Sequence, residues 1–421
     1  MTAEQGASPP SRELLRGYVL PQIVLFVAAA FRVAPLAVAA LALIPLAVPR
    51  RWLLLNWVGI SLINFTLFIS GASWISLLAT YYYGVVVAAR LGVLNKPLKQ
   101  IAHESRFELA GLALIIASFV LVSRGHYFIA TAIKSTLQLG FLLLLSMLLR
   151  HIDRPVLQDL RRQLLVLLPI HLVVYLVASI VVWRITTPED RFGGMLGPQV
   201  CGFSLTLVFA LFWFAKDKTF AYLALVSVAL TGSRTYVGVA AVVIFAPLFA
   251  ARAKLGTKIA AGVGLIVLMF VGWELLPYLS ERFVMNEDFY GTFLGRFLNY
   301  QNAIDHIHAH PIFGEGMGSM LQVLEDWIPE FFDYYVQSGD TTIVHDEYLR
   351  IGMELGFVGL GLAIAYLVRA LRSVSSEGRT MIVIFAIGSL TENTLALYST
   401  AMVTLLLFVY VSRATSRDPR P

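Results

Sequence analysis

Apolar runs alternate with short basic punctuation along almost the whole chain. The runs 52–70, 72–90, 107–123, 128–149, 164–183, 198–214, 257–278, 343–369 and 380–395 predict helices. Each approaches the length of about 20 apolar residues that crosses a bilayer. Shorter runs at 18–31, 35–48, 219–232, 236–250 and 398–412 predict helices that pair as full spans or as re-entrant hairpins. The pattern is that of an all-α, polytopic helical membrane protein with about 12–14 transmembrane helices, an even number. Lys and Arg gather in alternate loops: Arg50/Arg51, then Arg90 to Arg106, Arg150 to Arg162, Lys216/Lys218, Arg252 to Lys258, Arg369 to Arg379 and Arg413 to Arg420. That alternation predicts a cytoplasmic face for these loops and for both termini. The division that follows is a cytoplasmic tail over 1–17, a bundle over 18–278 and an outer loop domain over 279–341. C-terminal transmembrane helices over 342–412 and a cytoplasmic tail over 413–421 complete it.

Composition sharpens this picture. Of 421 residues, 58% are hydrophobic and only 14% charged, against roughly 25% charged in soluble domains. Mean hydropathy is +0.76, so lipid is the expected solvent for most of the chain. The net charge of +6 is spread over short loops rather than gathered in one patch, which argues against nucleic acid. A single cysteine, Cys201, excludes an internal disulfide. Arg12 and Arg16 ahead of an apolar run resemble a signal peptide, but a second apolar run at 35–48 follows at once and favours a first hairpin.

The outer segment 279–341 is long and polar, which predicts a small helical domain facing the periplasm. Immediately after it comes His345-Asp346-Glu347-Tyr348-Leu349-Arg350, followed by Gly352, Gly356 and Gly359. Continued as one helix, His345, Leu349 and these glycines share a face, which predicts close packing of a neighbour and a rigidly held imidazole. An imidazole, with an unperturbed pKa of about 6.5, suits proton abstraction near neutral pH, and it equally suits an interfacial helix end. Two arginines fall on the outer side, against the charge rule. Arg234 lies in Thr231-Gly232-Ser233-Arg234-Thr235, and Arg191 in Arg191-Phe192-Gly193-Gly194. A deep arginine costs about 2.5–3.5 kcal/mol on insertion scales, and a bound anion would offset that. Guanidinium matches phosphate oxygens in paired hydrogen bonds, though snorkelling to headgroups serves the same side chain.

Other features carry weaker signals. His306, His308 and His310 alternate without a cysteine or a fourth ligand, so no metal site is expected. Pro311 to Gly318 has the glycine content of a phosphate-cradling loop. His171 is expected to be satisfied by a neighbouring helix, Glu274 to be exposed, and Lys134 either to snorkel or to line a cavity.

Taken together, Arg191 to Pro198, Thr231 to Thr235, Gly295-Arg296 with Pro311 to Gly318, and His345 to Gly359 resemble the bacterial O-antigen ligase and O-antigen polymerase family. The likeness covers roughly 185–412. Asp346 departs from the asparagine usual in the family after the histidine. The resemblance implies transfer of a glycan from undecaprenyl diphosphate, on the periplasmic side of the bacterial inner membrane, with inversion and without metal or cofactor. Under it, His345 is the base and Arg191, Arg234 and Arg296 hold the diphosphate. Ser233, Asp346, Tyr348, Gly352 and Gly356 support them. The acceptor is lipid A–core for a ligase, or a second lipid-linked repeat for an O-antigen or exopolysaccharide polymerase. A flippase for an anionic lipid-linked substrate is the rival of another class, because broken short helices at 219–250 would serve it as well.

Overall fold

The computed structural model describes residues 11–30, 34–61, 73–122, 129–186, 198–231, 233–245, 299–319, 346–390 and 401–415, with isolated positions between 256 and 264. These residues are helical and, among them, no strand occurs. In chain order the helices are α1 (Leu20–Ala30), α2 (Ala34–Ala47), α3 (Leu53–Ser61), α4 (Ser73–Arg90) and α5 (Leu98–Glu104). Next come α6 (Arg106–Ala117), α7 (Ile129–Arg150), α8 (Arg154–Thr186), α9 (Pro198–Ala215), α10 (Lys218–Leu230) and α11 (Arg234–Phe245). A helix over 299–309 is α12. The series ends with α13 (Glu347–Ser373), α14 (Ser376–Gly388) and α15 (Ala401–Thr415).

α9 is apolar all round and lies at the centre, where Cys201, Phe203, Phe209 and Phe212 are wholly buried. It packs on α10, α11, α14 and α15. α15 forms the second axis, touching α3, α7, α8 and α14 as well. The periphery is patterned the other way from a soluble protein. On α8, Leu164, Leu168 and Leu172 face inward, while Val166, Ile170, Val173 and Val177 form an exposed stripe at helical spacing. An apolar stripe exposed over three turns is the kind of surface that lipid or an apolar partner covers. By length and composition, the helical stretches Ala132–Arg150 and Glu347–Ser373 suffice to cross a membrane, and shorter apolar helices accompany them.

Four of the basic loops meet at one end of the bundle. Arg50 donates to the Leu91 carbonyl, Lys96 to the His151 carbonyl, and Arg161 to both carboxylate oxygens of Glu377 at 2.8 Å. Segment 299–319 packs near the start of α13, at the other end. Two differences from the sequence reading matter. α8 begins at Arg154 rather than near 164, because its first turns are amphipathic: Leu157 and Leu160 are buried while Arg161 faces Glu377. α13 is not one straight rod, for Gly356 breaks it at φ 64 and ψ −166. The run 257–278 lies almost wholly outside the described residues.

Candidate active site

The start of α13 is fixed by its cap. Asp346 is extended (φ −151, ψ 116), and its Oδ1 accepts from the amides of Tyr348 at 2.8 Å and Leu349 at 2.9 Å. An aspartate oxygen in that position satisfies two of the orphan donors of the first turn. The helix therefore opens at Glu347. The first turn of α13 is tied to the last turn of α14. Glu347 N donates to Ser389 O at 2.8 Å, and the Tyr348 hydroxyl donates to Ala386 O at 3.1 Å.

One turn further in lies a charge cluster that the sequence reading missed. Arg350 and Glu354 are completely buried and Glu347 is 1% exposed. Arg350 Nη1 donates to Glu347 Oε1 at 2.8 Å, Nη2 donates to Ser135 Oγ at 2.5 Å, and Nε lies 3.4 Å from Glu354 Oε2. The other Glu354 oxygen accepts from Ser135 Oγ at 2.7 Å and from Gly318 N at 3.0 Å. So many charges are kept in an apolar bundle only when each meets a partner. The spacing of Glu347, Arg350 and Glu354 at steps of three and four, inside an apolar run, is the signal that could have revealed it.

The glycines serve the outer segment. Ile307 of α12 packs on Gly352, where an added Cβ would lie 2.8 Å from its Cδ1. At Gly356 the kink frees backbone groups, and the 311–318 loop takes them up. Phe357 N donates to Pro311 O at 2.8 Å, Val358 N to Ile312 O at 3.2 Å, and Glu315 N to Met353 O at 2.8 Å. A Cβ on Gly356 would overlap the Ile312 carbonyl, and one on Gly314 the Met353 carbonyl. The loop that looked like a phosphate cradle is thus a clamp, its Glu315 and Gly318 amides already spent on α13. The glycine face predicted to admit a neighbouring helix admits α12 at Gly352 and this loop at Gly356.

The turn between α10 and α11 approaches from the other flank. Thr231 Oγ1 donates to Val228 O and accepts from Ser233 N at 3.3 Å, and Ser233 O accepts Val237 N as α11 begins. Gly202 of α9 lets this turn sit close, since a Cβ there would meet Tyr236, Thr231 and Ser233 at 3.0–3.3 Å. Tyr236, one turn into α11, packs on Gly388: a Cβ at that glycine would lie 3.1 Å from its hydroxyl oxygen. The N-terminal turns of α11 and α13 therefore meet on the same C-terminal turn of α14. Arg234 is the first residue of α11, and only its backbone is described.

Of the remaining expectations, His345, Arg191, Arg296 and Glu274 lie outside the described residues. Ser233 is buried at the turn, Asp346 and Tyr348 brace α13, and Gly352 and Gly356 receive the outer segment. His171 meets the Tyr18 hydroxyl at 3.0 Å, the neighbouring-helix partner expected of it. Lys134 lies partly buried on α7. His306 Nδ1 lies 2.6 Å from Glu315 Oε1, which pins α12 to the clamp loop, while His308 is exposed. Among the described residues, no group of three or more His, Cys, Asp or Glu has the geometry to hold a metal.

Residues 219–364 match the family described as O-antigen ligase. That span starts with α10, takes in the α10–α11 turn and the clamp, and ends within α13. No curated protein matches the chain.

Proposed function

We propose, from the match of residues 219–364 to the family described as O-antigen ligase, that the chain transfers a glycan from undecaprenyl diphosphate to an acceptor hydroxyl at the periplasmic face of the inner membrane. The observation that carries this reading is the shared turn of α14. Tyr236, two residues after Arg234, and Glu347 with Tyr348, two and three residues after His345, all touch Gly388 or its immediate neighbours. That shared turn supports assigning Arg234 and His345 to one site, since the residues that follow each of them in the chain meet there.

In the proposed reaction the acceptor oxygen attacks the anomeric carbon as the bond from that carbon to the diphosphate oxygen breaks. The electron pair leaves with the diphosphate, and the acceptor proton passes to His345. Attack opposite the leaving group inverts the centre. Arg234, with Arg191 and Arg296, meets the charge that grows on the leaving oxygens, which is where preorganised donors do most for the rate. His345 contributes as general base, an effect of roughly 10²–10⁴-fold. The diphosphate is already a good leaving group, so the scheme calls for no metal or nucleotide. Asp346 and the Arg350 cluster position the imidazole by holding the start of α13.

The preferred acceptor is lipid A–core. The test is reconstitution with purified undecaprenyl-diphosphate glycan, offering lipid A–core or a second donor molecule as acceptor. Glycan joined to lipid A–core supports the ligase, a lengthened lipid-linked glycan the polymerase, and movement of donor between leaflets without a new glycosidic bond the flippase. His345→Ala is expected to abolish transfer with unchanged protein level in membranes. Transfer retained by that variant would remove the base from the scheme.

A further inference from the structure

A cavity of about 1170 Å³ runs along α13, from Glu347 and Tyr348 at one end to Arg369 and Arg372 at the other. It exceeds the roughly 300–1,000 Å³ of ordinary small-molecule pockets. The middle is apolar, with Leu114, Leu143, Leu355, Leu362, Phe385 and Leu406 among its walls. The far end is cationic. Arg106, Arg150, Arg369, Arg372 and Arg413 all line it, against Glu104 and His103.

These arginines come from four helices that the structure ties together. Ser146 Oγ of α7 meets the Tyr366 hydroxyl of α13 at 2.5 Å and the Tyr410 hydroxyl of α15 at 3.1 Å. The Arg369 guanidinium stacks on Phe107 of α6, 4.7 Å from the ring centre. Arg150 is matched by the Glu108 carboxylate and the Glu104 carbonyl. Arg369 differs: its Nη1 is shielded from solvent and finds no acceptor among the described residues. Arg369 lines the cavity with exposed Arg106 and Arg372 beside it, a cluster of positive charge at the end of an apolar trench that a bound anion would offset.

We infer that this cavity holds one anionic phospholipid from the leaflet facing the basic loops, its phosphate among Arg106, Arg369 and Arg372 and its acyl chains between α6, α7 and α13. Charge and shape agree on that occupant. The phosphate fits the guanidinium cluster, and an acyl chain fits a long apolar trench that a free anion would leave empty. The lipid is a component distinct from the glycan donor, whose diphosphate belongs at the opposite end of α13.

Purified, delipidated protein mixed with equal amounts of phosphatidylglycerol and phosphatidylcholine gives the test, with native mass spectrometry counting the lipid retained. Wild type is expected to keep one phosphatidylglycerol per chain, favoured by about 10-fold or more over the zwitterionic lipid. Arg106→Gln with Arg372→Gln changes only exposed side chains and is expected to lower that preference several-fold; adding Arg369→Gln should remove it. Ala363→Phe, which narrows the trench and spares the arginines, is expected to reduce retention as well. Equal retention of the two lipids overturns the inference, as does undiminished preference in the triple variant. Displacement by millimolar inorganic phosphate, or full retention in Ala363→Phe, would show a headgroup site alone and overturn the acyl-chain assignment. The readout contains no glycan donor, so its failure is distinguishable from failure of the transferase reading.

Discussion

Arg350 holds two carboxylates in a region where water does not reach. With Arg350→Met, Glu347 and Glu354 would lose their cation, and a broken buried ion pair typically costs about 3–5 kcal/mol. The expected outcome is a large fall in melting temperature of the detergent-solubilised protein. Glu354→Gln should cost less, because an amide oxygen still accepts from Ser135 and Gly318 while Glu347 keeps Arg350 neutralised. Equal melting of wild type and Arg350→Met would show the cluster to be energetically neutral. Arg234→Lys tests the other flank. Lysine keeps the charge and loses the paired hydrogen bonds, so transfer should fall about 10-fold or more while protein level holds. Wild-type turnover by that variant would count against a bidentate grip on diphosphate. Asp346 illustrates what was hidden at this scale. The sequence marks it as an unusual neighbour of His345, but its use as a cap depends on where the helix starts. Capping uses an acceptor oxygen that asparagine also carries, so an amide at this position could serve the cap as well.

Among elements, α13 departs most from its sequence pattern. A 3.6-residue period runs through Leu349, Gly352, Gly356 and Gly359, and a continuous glycine face is the simplest reading of it. Periodicity records which residues are small and not why. At Gly356 the reason is a backbone conformation nearly confined to glycine, combined with a carbonyl where a side chain would stand. Gly356→Ala is therefore expected to cost roughly 1–3 kcal/mol in backbone strain alone, and to undock the 311–318 loop. Limited proteolysis would read this as faster cleavage around 311–318, with α13 still formed. Unchanged protection of the loop would mean that the kink survives without glycine. By contrast, α4, α7 and α9 start and stop within a few residues of their apolar runs, because burial among other helices follows hydropathy directly. The clamp was unreadable in advance for the opposite reason: its hydrogen bonds join main-chain atoms about 40 residues apart in sequence, and main-chain atoms leave no trace in residue type.

For the whole molecule, the claim with most depending on it is polarity. The basic loops were expected to share a side from their charge alone, and four of them do meet: Arg50 reaches Leu91, Lys96 reaches His151, and Arg161 reaches Glu377. Segment 299–319 packs on the other end of α13, beside the turn of α14 that receives α11. The native cysteine, Cys201, is completely buried, so the wild-type chain is a silent background for thiol labelling. Asp305 and Gln100 are both exposed and lie at opposite ends. Asp305→Cys is expected to react with a membrane-impermeant maleimide in intact spheroplasts, and Gln100→Cys only after permeabilisation. The charge rule assigns the Gln100 end, flanked by Lys96, Lys99 and Arg106, to the cytoplasm. The reverse labelling would turn the proposed transfer site toward the cytosol, away from any acceptor already exported. It would also place the arginine-lined mouth of the α13 cavity in the outer leaflet. One pair of cysteines thus tests the orientation on which both the transfer site and the lipid site depend.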